Sequence, residues 1–412
     1  MNFVEYDVVT KIKLITERPI TFPTVTICDS NPFTTEFSQN LLRNISLQAF
    51  GKEVQDMSFD DVLKNLTNVA MLTKMMAANA KFNFTKNLSQ PIVIKGCKFN
   101  KIECNSSLDF KEVYLYDNGV CKQFNSNGPN LKEVSQIGKD FGLSLILGPM
   151  NSMNKYPTSD SKGLVVFIHN QTFEPISSEG IQVRMGENTF ISLKKTVSKN
   201  EPTPYSDCND LSDGFESELY KFIIKSKKLY RQSDCFNLCF QRVVTMRCGC
   251  FFTKYPMFVQ AKPCLNLTQL ECIYIYERGY AQNYSTKCLS ECPLECESVT
   301  YDHTVTSLDF PTKEFYETTL NDKIMFENLF NYFGQNFTLE LYKENFLSLN
   351  VFLSSSKYTL ITETPKITLT DLITNLGGSV GILLGCSMFS LLEILELLFQ
   401  CFFIAVYKKK ID

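Results

Sequence analysis

Two spacings of apolar side chains organise the chain. A period of two, which puts alternate residues on one face of a strand, recurs in short runs bounded by turn residues. Residues 3–28 read as two short strands punctuated by Pro19 and Pro23, with Thr24, Val25, Thr26 and Ile27 supplying β-branched side chains. From about 95 to 205 the text is strand-like and turn-rich: VIKGCKF, VYLYDNG, LSLILG, GLVVFIHN, IQVRM and TFISL. Leu347, Leu349, Val351 and Leu353 alternate as a half-buried strand does. Helical spacing marks residues 34–94, in FSQNLLRNISLQAF and DDVLKNLTNVAMLTKMMAANAKF, with Asp60 a candidate N-cap. A second helix-like stretch lies near 313–334. The pattern predicts a mixed α+β body with no internal repeat.

Near the end the periodicity gives way to a continuous apolar run. From Val380 to Val406 only Glu393, Glu396 and Gln400 interrupt it, a length that suffices to cross a hydrocarbon core of about 30 Å. Lys408, Lys409 and Lys410 follow, which places the C-terminus in the cytosol by the bias of basic residues toward that side. A single-pass anchor is the simplest use of such a run. Two carboxylates inside it are costly unless they face water or a partner, which points to function instead.

Composition narrows the setting. The 412 residues hold 41 basic and 44 acidic side chains, with no basic stripe for nucleic acid, and 34 Phe without Trp are enough for a large core. Sixteen cysteines are too many for an ordinary cytosolic chain and point to disulfides in an oxidising compartment. Glycosylation sequons agree, at Asn44, Asn65, Asn83, Asn87, Asn105, Asn170, Asn266, Asn283 and Asn336, all before the apolar run. Such a region must be translocated, yet MNFVEYDVVTKIKLI has no signal-peptide pattern. The expectation is therefore that the chain begins just outside a first membrane helix that is absent from it. Ten cysteines between 206 and 297 form a stapled module. Zinc competes for such clusters, but sequons among the same cysteines favour disulfides, so neither a metal nor a cofactor is expected. The acidic run Asp207, Asp210, Asp213, Glu216 and Glu218 reads as a solvated face, with cation binding as the alternative. His169 and His303 lack companions at metal spacing and read as structural. No nucleophile–base pair or phosphate loop stands out, so no enzyme activity is expected.

FPTVTICDSNPF at 22–33 and LGGSVGILLGCSMFSLLEILEL at 376–397 resemble the two signatures of the degenerin/epithelial sodium channel family. Weaker matches in GLVVFIHNQTFEP, TPYSDC and CPLECESVTYD link them, so the resemblance covers essentially the whole chain. It implies one subunit of a trimer with an extracellular domain over 1–370. Palm strands fall near 3–30, 165–205 and 343–366, the finger at about 31–95 and 126–160, and a β-ball at about 96–125. The thumb covers 206–297 and the knuckle about 311–340. A second transmembrane pore helix over 371–407 and a cytoplasmic tail at 408–412 complete the chain. The implied disulfides are Cys28–Cys121, Cys97–Cys104, Cys208–Cys296, Cys235–Cys292, Cys239–Cys288, Cys248–Cys272 and Cys250–Cys264. Spacing supports part of this independently. Cys235 and Cys239 lie one helical turn apart, as do Cys288 and Cys292, so antiparallel pairing makes a two-rung ladder. Cys248 and Cys250 are expected on one face of a strand.

Further roles follow from the resemblance. Gly385, Cys386 and Ser387 take the position of the selectivity filter, with Cys386 departing from the small residues usual at its middle. Small residues suit a place where helices crowd an axis and carbonyls reach an ion. Glu393 and Glu396, on one helix face, would ring the inner mouth and favour cations. Thr374 falls on the degenerin gate position, Gly381 on the amiloride position, and Tyr205 on the aromatic contact that couples thumb to wrist. The implied partners are two further subunits, homomeric or heteromeric, together with sodium ions and membrane lipid in a plasma membrane that the complete protein crosses more than once. The finger text KFNFTKN at 81–87 is poor in acid clusters, so an extracellular ligand such as a short neuropeptide is the expected opener. Proton or force gating, and a non-conducting receptor or adhesion ectodomain, remain the alternatives.

Overall fold

The computed structural model describes residues 5–52, 68–76, 88–126, 131–149, 161–175, 179–209, 217–226, 229–280, 285–321, 337–384 and 388–408. Its strands, in chain order, are β1 (Val8–Thr16), β2 (Ile20–Thr21), β3 (Thr24–Asp29), β4 (Ile94–Phe99), β5 (Ile102–Glu103), β6 (Phe110–Leu115), β7 (Gly119–Phe124), β8 (Glu133–Val134) and β9 (Leu143–Leu147). There follow β10 (Gly163–His169), β11 (Ile181–Arg184), β12 (Glu187–Lys199), β13 (Cys208–Asn209), β14 (Leu294–Glu295), β15 (Glu297–Asp309), β16 (Leu347–Leu353) and β17 (Lys357–Pro365).

The larger sheet runs β1-β17-β12-β16-β9-β4-β5, and β15 pairs with β12 along its whole length. Its core follows from alternation: Leu347, Leu349, Val351 and Leu353 are buried, as are Leu143, Leu145 and Leu147 opposite them. A one-residue slip would turn each of these sets to the wrong face, so burial fixes the register. Asn350 interrupts the apolar strand yet is satisfied there. It accepts from the Ser144 hydroxyl at 2.7 Å and donates to Asn188 Oδ1 at 2.7 Å. Close approach of β9 and β16 requires a glycine at their end, because a side chain on Gly142 would collide with the Val351 carbonyl. The second sheet, β11-β10-β3-β7-β6, is stapled across β3 and β7 by Cys28–Cys121. Phe22, Phe99, Phe110 and Phe124 pack edge-on or tilted between the sheets. Leu143–Leu147 is an interior strand of the larger sheet, which also holds β4 and β5, whereas β6 and β7 lie in the smaller one.

Helix α1 (Glu36–Phe50) starts at a reciprocal cap between Thr35 and Ser38 and stops at Gly51, whose φ of 67° suits glycine. Residues 68–76 are also helical, while Asp60 lies outside the described residues. Phe33, Leu42, Val69, Leu72 and Met75 pack here against Phe240, Val244 and Phe252 of the cysteine-rich module. That module contains α2 (Glu218–Lys225), α3 (Gln232–Cys248), α4 (Leu267–Gly279) and α5 (Ser285–Cys288). Cys235 and Cys239 on α3 bond to Cys292 and Cys288 as two successive rungs. Cys292 remains one turn from Cys288 through its N–H to the Cys288 carbonyl, at 2.9 Å. The strand expected for Cys248 and Cys250 does not form. Cys248 is the last residue of α3, and Gly249 at φ 67° turns the chain sharply before Cys250. Cys248–Cys272 and Cys250–Cys264 then tie this corner to α4 and to the loop before it. Cys208–Cys296 closes the base of the module, and Cys97–Cys104 staples the β4–β5 hairpin. The remaining helices are α6 (Lys313–Asn321), α7 (Leu339–Asn345), α8 (Leu369–Leu384) and α9 (Met388–Lys408).

Candidate functional site

β1 and β17 pair antiparallel over nine residues, and β17 leads directly to α8. Thr368 caps that helix: its hydroxyl and N–H both donate to Asp371, at 2.7 and 3.0 Å, while Asp371 N donates back to Thr368 at 3.1 Å. The helix start is thereby fixed to the end of the strand. Tyr205 lies at the base of the cysteine-rich module, three residues before Cys208. Its ring meets Tyr6, just ahead of β1, edge-on at 5.5 Å between centroids. Next to it, Asn200 N donates to the Cys296 carbonyl at 2.8 Å, joining the end of β12 to the Cys208–Cys296 staple.

Thr374 is exposed on α8, with its hydroxyl donating to the Thr370 carbonyl at 2.8 Å. Gly377 and Gly378 lie on the same helix with open space where a Cβ would stand, and Gly381 is half-buried one turn on. Gly385, Cys386 and Ser387 lie outside the described residues, between α8 and α9. Glu393 and Glu396 are exposed on α9 at helical spacing, and Gln400 donates to Glu396 at 3.4 Å. Around them the surface of α9 is apolar: Phe389 is 78 % exposed, Leu397 63 % and Phe399 68 %. Among the described residues no helix is long and apolar enough to cross a membrane. The free cysteine among them is Cys401, exposed on α9.

Asn44, Asn105 and Asn266 are exposed and Asn170 is half-buried, whereas Asn65, Asn83, Asn87, Asn283 and Asn336 lie outside the described residues. Of the acidic run, Asp207 and Glu218 are exposed, and Asp210, Asp213 and Glu216 lie outside them. His303 is exposed on β15, while His169 is buried between Thr26 Oγ1 and the Asn170 carbonyl, both at 2.9 Å. Burial and the nearby Arg231 charge push the His169 pKa down against the Asn170 and Phe173 backbone contacts.

Two charged positions escaped the sequence reading. Burial raises the Asp29 carboxyl to about 6, against the N–H of Asn31 and the charge of Lys162. Asp117, at the turn between β6 and β7, pairs with Lys254 of the cysteine-rich module at 2.9 Å and with Lys74 of helical residues 68–76 at 3.8 Å. Burial lowers the Lys74 pKa; at Lys254 the same effect is outweighed by Asp117. YDNG carried a turn signal, but nothing local marked the distant lysines.

An exposed apolar helix pair follows a disulfide-stapled α+β body, a combination suited to a protein built partly against lipid. Residues 1–397 match the amiloride-sensitive sodium channel family, and the chain belongs to that family, one of ion channels rather than enzymes. The chain is 29 % identical to epithelial sodium channel subunit gamma-2 of Xenopus laevis over 77 % of its own length and 47 % of that protein's. It is 24 % identical to degenerin-like protein asic-2 of Caenorhabditis elegans, over 96 % of its own length and 77 % of the relative's. The epithelial sodium channel subunit alpha of Mus musculus is 28 % identical over 74 % of this chain. The chain thus spans about half the length of the epithelial subunits that it matches.

Proposed function

We propose that this chain is a subunit of a trimeric, sodium-selective and amiloride-sensitive cation channel of the plasma membrane, opened by an extracellular ligand such as a short neuropeptide. The observation that carries the reading is α8 and α9, whose exposed apolar surface follows β17 and begins inside the family match, which ends at residue 397. Large apolar surfaces of this kind need a cover, and lipid and neighbouring copies supply one. On this reading 371–407 is the pore helix of a chain that crosses the membrane more than once when complete. Thr374 stands at the gate and Gly381 at the amiloride position. Gly385, Cys386 and Ser387 form the filter, and Glu393 and Glu396 line the inner mouth as rings that concentrate cations. Tyr205 against Tyr6 couples the thumb to the strand pair above the pore. Ions then flow passively when ectodomain movement reaches α8.

A second reading, proton gating, is favoured by Asp29, whose pKa of about 6 falls in the mild-acid range. Against it, His169 is buried with a lowered pKa, and Asp117 is paired with lysines rather than with another carboxylate. The test is current recording from cells that express the chain, with and without a family-type membrane helix fused ahead of Met1. Amidated peptides are applied, and the bath is then stepped to pH about 5.5, where histidine titrates. An amiloride-blocked, peptide-evoked current supports the proposal. A fast acid current without a peptide response replaces ligand gating with proton gating, and no current from either form refutes the channel reading.

A further inference from the structure

Where β1 begins and β17 ends, the chain is held by more than the strand ladder. Lys366, just beyond β17, donates its backbone N–H to the Asp7 carbonyl at 2.9 Å, and its Nζ reaches Asp7 Oδ2, also at 2.9 Å. The two residues are therefore paired twice, once through the backbone and once through charge. The hydrogen bond to Asp7, its charge, and the more distant charge of Glu5 hold the Lys366 ammonium above its ordinary pKa. Asp7 directly follows Tyr6, whose ring rests on Tyr205, and Lys366 stands two residues before the Thr368 cap of α8. These contacts form one continuous path from Tyr205 through Tyr6, Asp7, Lys366 and Thr368 into α8. β1 itself has no covalent route to α8 except around the whole ectodomain, so a movement of Tyr6 reaches the helix through this pair and the ladder beside it.

We propose that the Asp7–Lys366 pair is a positioning clasp that couples the start of β1, and with it Tyr205, to the start of α8, and so helps set the gating equilibrium. The inference rests on the channel reading above. The backbone bond survives any side-chain change, so the variable part of the clasp is the ion pair. Both side chains are about half exposed, and solvent weakens the pair accordingly. An exposed pair of this kind shifts an equilibrium by a few-fold rather than by orders of magnitude. Swapping the two charges should restore what neutralising either one removes, because the ammonium and carboxylate still meet across the same backbone bond.

The experiment measures single-channel open probability for wild type, Asp7→Asn, Lys366→Gln and the swapped Asp7→Lys/Lys366→Asp protein, all in the full chain. Hydrogen exchange of the same purified proteins is followed at amides 6–8 and 366–372. The clasp predicts that both neutral variants move open probability in the same direction by about threefold, with the swap returning to within about twofold of wild type. Amides near both residues exchange faster in the neutral variants and recover in the swap. Conducting variants with unchanged open probability overturn the clasp while leaving the channel reading intact, as does a swap that behaves like either neutral form. Exchange that responds in a wild-type protein without current places the failure in the channel reading, and the gating role falls with it. Exchange that does not respond in any variant overturns the clasp whatever the current.

Discussion

The nested disulfides of the cysteine-rich module allow a ranking that their sequence separations alone do not give. Cys208–Cys296 and Cys239–Cys288 are 88 and 49 residues apart, a comparison that makes their contributions to chain entropy nearly equal. With Cys235–Cys292 in place, however, the ring that Cys208–Cys296 closes contains only the stretches from 208 to 235 and from 292 to 296, about 31 residues. The ring between the two rungs holds about eight. Loop-closure entropy then assigns roughly 3.5 kcal/mol to the outer bridge and roughly 2.5 kcal/mol to the inner rung. The perturbation is paired alanine substitution, Cys208→Ala/Cys296→Ala against Cys239→Ala/Cys288→Ala, with every other bridge retained. Alanine avoids burying new hydroxyls at Cys239 and Cys288, both 2 % exposed. Detergent-purified protein is heated and the folded fraction read by size-exclusion chromatography. The outer variant should melt first, by a margin worth about 1 kcal/mol. An inner variant that melts first, or at the same temperature, refutes the ring-size reasoning.

The other expectations concern charge, glycosylation and the pore. Asp29 has its native pKa near 6 against 3.8 for the free side chain, so the native state holds extra proton between those values and gains stability as pH falls through that window. Asp29→Asn should therefore stabilise the protein at pH 7.4, by up to about 3 kcal/mol, with the advantage gone below pH 4 in a melt series. His169 has the opposite sign: its lowered native pKa means that stability falls as pH drops below 6.5, and His169→Gln should flatten that slope in the same series. Asn44→Gln, Asn105→Gln and Asn266→Gln should each increase gel mobility by one glycan, since all three are exposed; a variant without the shift removes that site. Thr374→Phe should raise open probability about tenfold, on the scale of the 1–3 kcal/mol that overpacking costs, and unchanged single-channel records would move the gate elsewhere.

Much of the fold was legible because burial enforced a simple period. Leu347 to Leu353 and FSQNLLRNISLQAF carry that period plainly, and each forms the element it predicts. LSLILG alternates as a strand does and forms β9. Alternation reports that a face is buried, not which sheet buries it. Cys248 and Cys250 share the spacing of one strand face, yet a glycine able to adopt positive φ lies between them and turns the chain. The candidate site was legible unevenly. Thr374, Gly377 and Gly378 lie exposed on one helix, but spacing along a helix carries no signal for what its exposed face meets. The Tyr6–Tyr205 and Lys74–Asp117–Lys254 contacts depend on tertiary folding across hundreds of positions, where no local pattern reaches.

The pairing of β1 with β17 also dictates an order of events during synthesis. Val8 is matched with Pro365 and Thr16 with Lys357, so β1 must wait for about 340 further residues to be made before its partner exists. Ile12 and Leu14 remain 69 % and 68 % exposed even in the finished pair, so before that pairing the strand offers both an open edge and an apolar surface. Contacts this distant in sequence form slowly, and unpaired strands of this kind are prone to wrong associations. β1 is the first of the described strands to leave the ribosome and among the last to find its place.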